Sequence, residues 1–328
     1  MFKNGTIMQL GQVVADIDGQ MEILHRDFGF GPFEVHIFDG RKVKDSMVRG
    51  KPSDHTYLCS SCWLGGVQFE LMQPLVGRSI YDEYVEKHNG TGLQHVKIYY
   101  NDVKKEVAEY GKKGYPVTQS GGIGEDLFYY LDTEAKTAGV TIEIGNASSV
   151  PPPDSYFPEG ATAKPFVKRP LRDGDIMQVG QVVKDIDKAM DVFFHDFGIG
   201  PFEVFTFTKE RHINPMVRGK PGDHTFICAC AWCGDLQYEL MQPLTGSSVY
   251  TEFLDRRGEG LHHLKIYYKD VEKAVADFKA KGYGVIQSGG IGNDLYFYLD
   301  TEDCCQGLLI ELGNAGEVGP SDRVYPAK

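Results

Sequence analysis

Polar and ionisable residues recur at matching strand positions in the two halves of this 328-residue chain, where core packing would favour hydrophobic side chains. A buried polar or charged side chain needs a partner that repays its lost hydration. A bound divalent cation would be such a partner for each of the two sets. The sets are Gln9, Glu70, His95 and Glu143, and then Gln178, Glu239, His263 and Glu311.

Each set offers one amide oxygen, two carboxylates and one imidazole. Hard oxygen donors combined with one borderline nitrogen suit a six-coordinate divalent ion that retains water. We expect zinc, manganese, cobalt, nickel or iron, and the two carboxylates would balance the charge of the ion.

Other repeated polar residues could act beside the cation. Lys97 and Lys265 follow the ligand histidines by two residues, so they share a strand face with them and could clamp a substrate carboxylate or act as acid or base. His55 and His224 are candidate acid–base or outer-shell groups, with a hydrogen-bonded histidine at a strand edge as the alternative.

Several further motifs are given structural interpretations. Arg49 and Arg218 are interpreted as solvated loop charges rather than anion sites, and His262 as structural. The SGGIG motif at 120–124 and 288–292 lies between strands and predicts a turn rather than a phosphate cradle. No second CxxC at zinc spacing accompanies the cysteines, so buried strand thiols are expected: Cys59, Cys62, Cys228, Cys230 and Cys233.

The elements that must position these residues come from a tandem duplication. The motif IMQLGQVVADID at 7–18 returns as IMQVGQVVKDID at 176–187, and such a long period indicates two domains rather than stacked short repeats. We predict a first domain at 1–150, a Pro-rich linker at 151–174 and a second domain at 175–328.

Within each copy, hydrophobic periodicity predicts a strand, a helix and three strands, twice over. Helices are expected from about Asp18, ending at Gly29, and from Asp102, ending near Gly114. The strands of the first copy are predicted at 7–15, 33–38, 56–62, 67–72, 94–100, 117–119, 127–131 and 141–144. The predicted fold class is α+β, with four βαβββ modules forming curved mixed sheets around metal-binding clefts. Whether the modules pair within a copy or across copies is left open.

Composition limits the partners and the location. A net charge of −12 without clustered Lys and Arg argues against nucleic acid, and no apolar run is long enough for a membrane span. The start lacks the apolar core of a signal peptide, and seven cysteines favour reduced thiols, so a cytoplasmic location is expected. A small carbonyl or carboxylate compound is the expected partner, and a homodimer is left open.

The arrangement of modules and ligands resembles the vicinal oxygen chelate superfamily. The segment SIYDEYVEKHNGTGLQHVKI is similar to the corresponding stretch of methylmalonyl-CoA epimerases, whereas the Gln, Glu, His, Glu set resembles that of lactoylglutathione lyases of the glyoxalase I type. The resemblance implies a metal that stabilises an enolate while Glu143 or Glu311 acts as the base. Family epimerases carry a second acid/base on the third strand, where this chain has Cys59 and Cys228.

Three functions are compatible with these observations. The main prediction is a metal-dependent isomerase, epimerase or lyase that abstracts a proton beside a carbonyl. The second is an iron-dependent ring-cleaving or keto-acid dioxygenase, although Gln stands where its first His ligand would be. The third is a non-catalytic binding protein that resembles the bleomycin-resistance members.

Overall fold

The computed structural model describes residues 2–39, 42–162, 164, 166 and 168–327. The chain divides into two compact units, Met1–Lys168 and Arg169–Lys328, named here the first and the second unit. Among the described residues, no helix is both long and apolar enough to cross a membrane.

The described residues of the first unit form three helices and eleven strands in a single sheet. The helices are α1 (Ile17–Phe28), α2 (Ile80–His88) and α3 (Val103–Lys112). The strands are β1 (Thr6–Val13), β2 (Phe33–Phe38), β3 (Val43–Val48), β4 (Lys51–Pro52), β5 (Thr56–Leu64), β6 (Val67–Val76), β7 (Gly92–Tyr99), β8 (Val117–Ile123), β9 (Asp126–Leu131), β10 (Thr141–Gly145) and β11 (Ser155–Phe157).

The second unit repeats this arrangement. Its helices are α4 (Ile186–Phe197), α5 (Val249–Arg257) and α6 (Val271–Ala280). Its strands are β12 (Ile176–Val182), β13 (Phe202–Phe207), β14 (Ile213–Val217), β15 (Lys220–Pro221), β16 (Thr225–Cys233), β17 (Leu236–Thr245), β18 (Gly260–Tyr267), β19 (Val285–Ile291), β20 (Asp294–Leu299), β21 (Leu309–Gly313) and β22 (Arg323–Tyr325).

The sheet of each unit is built from its own two βαβββ modules. In the first unit the strand order is β11-β2-β5-β6-β1-β7-β10-β9-β8-β3-β4, and the second unit has the equivalent order. The first strands of the two modules, β1 and β7, pair antiparallel at the centre. The α+β duplication is therefore confirmed, and the described strands pair within a copy, which answers the question left open by the sequence.

Local sequence signals explain where the helices begin and end. Asp16 caps α1 by accepting a hydrogen bond from the Gly19 amide, and Gly29 ends it with a left-handed φ of 73°, as predicted. Helix α2 was not predicted from the sequence, although Ser79 and Asp82 form a capping box at its start. The β3–β4 hairpin was also missed. The turn predicted at the two SGGIG motifs was wrong for most of their residues, because 120–123 continue strand β8 and 288–291 continue strand β19.

The segment predicted as a linker contains strand β11. This strand pairs antiparallel with β2 at the edge of the first sheet, and Asp154 just before it accepts a hydrogen bond from the Ile37 amide. Strand β22 makes the equivalent pairing with β13 in the second unit. Each sheet therefore gains one short edge strand from the segment that follows its second module.

Candidate metal centre

Two neighbouring rows of residues cross the central strands of the first unit. In one row Gly11 of β1 lies between Glu70 of β6 and His95 of β7. In the adjacent row Gln9 lies between Gln68 and Lys97, and Lys97 pairs in turn with Glu143 of β10. The sheet register thus brings the four predicted ligands of the first unit together. The rows of the second unit are equivalent.

The position of the His95 ring depends on a glycine. A Cβ atom on Gly11 would lie only 1.9 Å from Cε1 of His95, so the imidazole lies against a backbone that has no side chain at this point. His95 is fully buried, and its Nδ1 lies 2.8 Å from Oε1 of Gln94. Because an amide oxygen only accepts, Nδ1 donates this hydrogen bond and Nε2 points toward the acidic side chains.

The two carboxylates lie on either side of this Nε2 atom. Oε2 of Glu143 lies 3.2 Å from it and Oε2 of Glu70 lies 3.5 Å from it. The thiol of Cys59 donates a hydrogen bond to the other Glu70 oxygen at 3.1 Å. Among the described residues, the donor atoms of Glu70, His95 and Glu143 form a cluster in which all lie within 4.8 Å of one another.

The amide of Gln9 is oriented by its neighbours. Its Nε2 donates to Oε1 of Gln68 at 3.1 Å, and the Gln68 amide donates to the Ser61 hydroxyl at 3.2 Å. This chain of hydrogen bonds leaves the Gln9 carbonyl oxygen buried without a hydrogen-bond partner among the described residues. Nε2 of His95 and Oε2 of Glu143 are buried without one as well.

Such unpartnered atoms are costly in a protein interior. Here they belong to one amide, one imidazole and one carboxylate on adjacent strands, and Glu70 completes the set. The donor types and their convergence fit a divalent cation better than they fit a structural hydrogen-bond network.

Lys97 lies beside this set and carries a buried positive charge. Its Nζ is 3.0 Å from Oε1 of Glu143 and 3.4 Å from Oδ2 of Asp126. Burial alone would lower the pKa of Lys97, but Asp126 and Glu143 outweigh that effect and raise it. Lys97 is therefore protonated near neutral pH.

The same contacts keep Glu143 ionised. Burial would raise its pKa, but Lys97 and His95 together lower that pKa to about 2. The pKa of His95 is raised, because Glu143 and Glu70 outweigh the opposing effect of burial. The two carboxylates therefore favour positive charge at this place.

The second unit reproduces this geometry closely. Nε2 of His263 lies 3.0 Å from Glu311 and 3.5 Å from Glu239. Gln178 donates to Gln237 at 2.6 Å, and its own carbonyl oxygen has no hydrogen-bond partner in the described part of the chain. Burial would lower the pKa of His263, but Glu311 and Glu239 raise it to about 9.

Lys265 lies between two carboxylates, as Lys97 does. Its Nζ lies 3.2 Å from both Glu311 and Asp294. Burial would raise the pKa of Glu311, but Lys265 and His263 lower it to about 2.

Each set opens into a cavity. The cavity of the first unit has a volume of about 250 Å³ and that of the second unit about 240 Å³. The predicted residues that line the first cavity are Gln9, Glu70, Lys97 and Glu143, and those that line the second are Gln178, Glu239 and Lys265.

His55 and His224 do not line the cavities of their units. His55 contacts the Ser53 hydroxyl at 3.0 Å and stacks on Tyr57. Burial, with His212 beside it, lowers the pKa of His224 to about 4. These contacts resemble those of the alternative strand-edge histidine, and an acid–base role for either residue stays a prediction.

The predicted loop arginines are paired on the surface. Arg49 lies 2.6 Å from Glu83 and Arg218 lies 2.6 Å from Glu252, and each arginine side chain is more than half exposed.

Sequence reasoning missed the partners of the two buried lysines. Asp126 and Asp294 each lie at the start of a strand in the repeated motifs EDLFYYLDTE and NDLYFYLDTE. Recurrence in both copies was the available signal, but an Asp after a turn is so common that it was not singled out.

Comparison with known proteins gives one family and a common fold. The model of the Glyoxalase/Bleomycin resistance protein/Dioxygenase superfamily matches residues 8–130 and again residues 177–298. A search of curated protein sequences finds no significant match.

Solved structures share the two-unit fold at low identity. A triple mutant of 4-hydroxymandelate synthase from Streptomyces coelicolor has a TM-score of 0.65 at 14% identity, covering 98% of this chain and 95% of that one. The Mn(II)-bound glyoxalase from Novosphingobium aromaticivorans has a TM-score of 0.52 at 12% identity, covering 100% of this chain and 87% of that one. At these identities the likeness shows the fold alone.

Proposed function

The chain belongs to the Glyoxalase/Bleomycin resistance protein/Dioxygenase superfamily, and we propose that it is a metal-dependent isomerase, epimerase or lyase. In this proposal each unit binds one divalent cation, drawn from zinc, manganese, cobalt, nickel and iron. The reaction is removal of a proton next to a carbonyl group of a small organic substrate.

One observation carries the proposal. In each unit the donor atoms of one histidine and two glutamates lie within 4.8 Å of one another, and the nearby glutamine oxygen and the imidazole nitrogen are buried without hydrogen-bond partners in the described chain. Gln9, Glu70 and Glu143 line the cavity of the first unit, and Gln178 and Glu239 line that of the second. A cation at this place would compensate all four groups. It would also face the cavity, where a substrate oxygen could complete its coordination.

The bound cation would supply Lewis-acid stabilisation of negative charge on a substrate oxygen, an effect worth several kcal/mol in metalloenzymes. Glu143 and Glu311 are the proposed bases. Each belongs to the ligand set of its unit and is kept ionised by a neighbouring lysine. In the first unit, the substrate proton would pass from carbon to a Glu143 oxygen.

Lys97 and Lys265 have a different task in this scheme. Each is protonated, buried and held between two carboxylates beside the cavity. We assign them to orienting the base and to donating a hydrogen bond to a substrate oxygen, rather than to removing a proton.

The ligand chemistry favours proton transfer over oxygen activation. Non-haem iron oxygenases use two histidines and one carboxylate with open positions. Each set here has one histidine and two carboxylates, with an amide as the fourth donor. Uptake of dioxygen by the iron-loaded protein would contradict the proposal.

The test is exchange of a substrate hydrogen with solvent. Protein loaded with each candidate metal would be incubated in heavy water with a panel of small carbonyl compounds, and deuterium incorporation followed by NMR. We expect Glu143→Gln and Glu311→Gln each to remove part of the exchange and the double variant to lower it at least about 100-fold, as loss of a general base does.

Glu109→Gln is the matched control, because Glu109 lies on the exposed surface of α3 and pairs there with Lys112. This variant should exchange at the wild-type rate. Full exchange in the Glu143→Gln, Glu311→Gln double variant would refute the assignment of the bases.

A further inference from the structure

The second unit carries a pair of thiols in its cavity that the first unit lacks. Cys228 and Cys230 alternate on β16, and their Sγ atoms lie 3.3 Å apart. Oε1 of Glu239 lies 3.0 Å from the Cys228 sulfur and 3.9 Å from the Cys230 sulfur. Both cysteines line the cavity.

These three side chains form a cluster of their own. Among the described residues, the sulfur atoms of the two cysteines and a Glu239 oxygen all lie within 4.8 Å of one another. Cys230 is also in register with Glu239, so it extends the row that contains Gly180 and His263. The thiols thus adjoin the proposed metal centre on the side of Glu239.

The spacing suits a tetrahedral thiolate site. With zinc–sulfur bonds of about 2.3 Å, two sulfur ligands of a tetrahedral ion lie about 3.8 Å apart. The observed sulfur–sulfur distance of 3.3 Å would have to increase by about half an ångström. Three protein ligands and a fourth position open to a cavity are the usual arrangement in zinc enzymes.

We propose that Cys228, Cys230 and Glu239 bind a second cation of the thiophilic type, such as Zn²⁺, in the second unit alone. Glu239 would serve both ions, because its Oε1 faces the two sulfur atoms and its Oε2 lies 3.5 Å from Nε2 of His263. Each thiol releases its proton to solvent when its bond to the cation forms. The shared role of Glu239 rests on the proposed function, whereas binding by the thiols does not.

Charge balance agrees with one ion in the first unit and two in the second. In the first unit a divalent ion and Lys97 balance three carboxylates, those of Glu70, Asp126 and Glu143. The second unit has the same charges, and its two thiolates add two negative charges that a second divalent ion neutralises. Fully compensated charges are what a buried site requires.

The first unit lacks one of the two thiols of this site. Ser61 stands in the place of Cys230, and its hydroxyl accepts a hydrogen bond from Gln68 at 3.2 Å. Cys59 remains as a single thiol on Glu70. One thiol and one carboxylate are too few ligands to hold a thiophilic ion beside the first.

The experiment is a titration of the metal-free full chain with Cd²⁺, followed by the ultraviolet charge-transfer absorption of cadmium–thiolate bonds. We expect this absorption in the wild type and its loss in Cys228→Ser and Cys230→Ser. Mass spectrometry under native conditions should show one bound Cd²⁺ fewer in each variant. An absorption that both variants retain, or none in the wild type, would overturn the proposal.

Two further variants sharpen the result. Cys304→Ser is the control, because Cys304 also lies near a second thiol, Cys305 at 3.8 Å, but is exposed and away from the cavity. It should leave the absorption unchanged. Ser61→Cys gives the first unit the same pair and should add a second increment of absorption.

The outcomes separate this inference from the proposed function. Cys230→Ser should keep the hydrogen exchange of the first unit, which contains no part of the thiol site. Cadmium–thiolate absorption without any exchange activity would retain the inference and reject the proposed function. Hydrogen exchange without cadmium–thiolate absorption would reject the inference and retain the proposed function.

Discussion

The two units keep one set of side chains in common and differ in the walls around it. The donors around His95 and His263, the lysines beside them and the glycines beneath the imidazoles are the same in both. The cavity walls differ, since His36 and Ser61 of the first unit correspond to Phe205 and Cys230 of the second. The positions of the ligands around His95 and His263 are set by the register of the central strands. The chemistry of the cavity walls is set by individual side chains on the outer strands.

Backbone packing as well as chemistry constrains the ligand set. His95 needs a glycine on the neighbouring strand, and Lys97 needs another, because a Cβ on Gly145 would lie 2.3 Å from its Cε. The side chain opposite the cavity glutamate differs between the units, since Ser61 is in register with Glu70 and Cys230 with Glu239. The two units can therefore share one reaction step while their cavities accept different substrates.

The largest effect is expected from removing the buried lysine charge. Lys97→Met leaves Glu143 and Asp126 buried without their cation, so it should lower the free energy of unfolding by about 3–5 kcal/mol. Lys265→Met should do the same if the units are equivalent. Denaturant unfolding without added metal measures both. A loss of stability in only one of the two variants would show that the two lysines are not equivalent.

A glycine substitution tests the packing of the imidazole. In Gly11→Ala the new Cβ must push the His95 ring away, which should lower the free energy of unfolding by about 1–3 kcal/mol and abolish cation binding in the first unit. Calorimetric metal titration and denaturant unfolding measure the two effects.

Gly111→Ala is the control for this variant, because its added Cβ meets no atom within 4 Å and lies in helix α3. It should raise the free energy of unfolding by up to about 1 kcal/mol. Wild-type metal affinity in Gly11→Ala would contradict the proposed position of the ion.

A smaller effect should follow from changing the hydrogen-bond partner of the ligand histidine. Gln94 accepts from His95, whereas the equivalent His262 places its Nδ1 3.1 Å from Nδ1 of His263. Gln94→Ala should lower metal affinity in the first unit about 10–100-fold, the usual effect of losing such a partner. Affinity unchanged in isothermal titration would show that the Gln94 contact does not orient the ligand.

The smallest effect is expected at the surface. Arg49→Ala and Arg218→Ala each remove an exposed ion pair with a glutamate, so the free energy of unfolding should fall by no more than about 1 kcal/mol. Hydrogen exchange of the substrate should not change. A large loss of exchange in either variant would instead indicate that these arginines bind an anionic substrate.

Most of the fold was predictable because duplication displayed each pattern twice. Strand bounds such as 33–38 and the cap at Gly29 follow from local periodicity and turn chemistry. Helix α2 was missed because it is only nine residues long and its buried face, Ile80, Tyr81 and Tyr84, spans little more than one turn. The edge strand β11 owes its place to pairing with a distant strand, which local sequence does not encode.

The ligand candidates were predictable from residue types at strand positions, but the distances between them were not. The register between β1 and β6 places Gln68 beside Gln9. The amide nitrogen of Gln9 donates to Gln68, and its oxygen is therefore left for the cation. The thiol pair at Cys228 was interpreted from the sequence as ordinary buried cysteines. Its relation to Glu239 emerges only when β16 and β17 are paired.

Anomalous diffraction from crystals grown with Mn²⁺ tests the metal centre most directly, because manganese prefers oxygen and nitrogen ligands to thiolates. We expect one strong peak in each unit. The first should lie within coordination distance of Gln9, Glu70, His95 and Glu143, and the second within that of Gln178, Glu239, His263 and Glu311. No peak between these side chains, or peaks only elsewhere on the protein, would show that the two sets do not bind the cation.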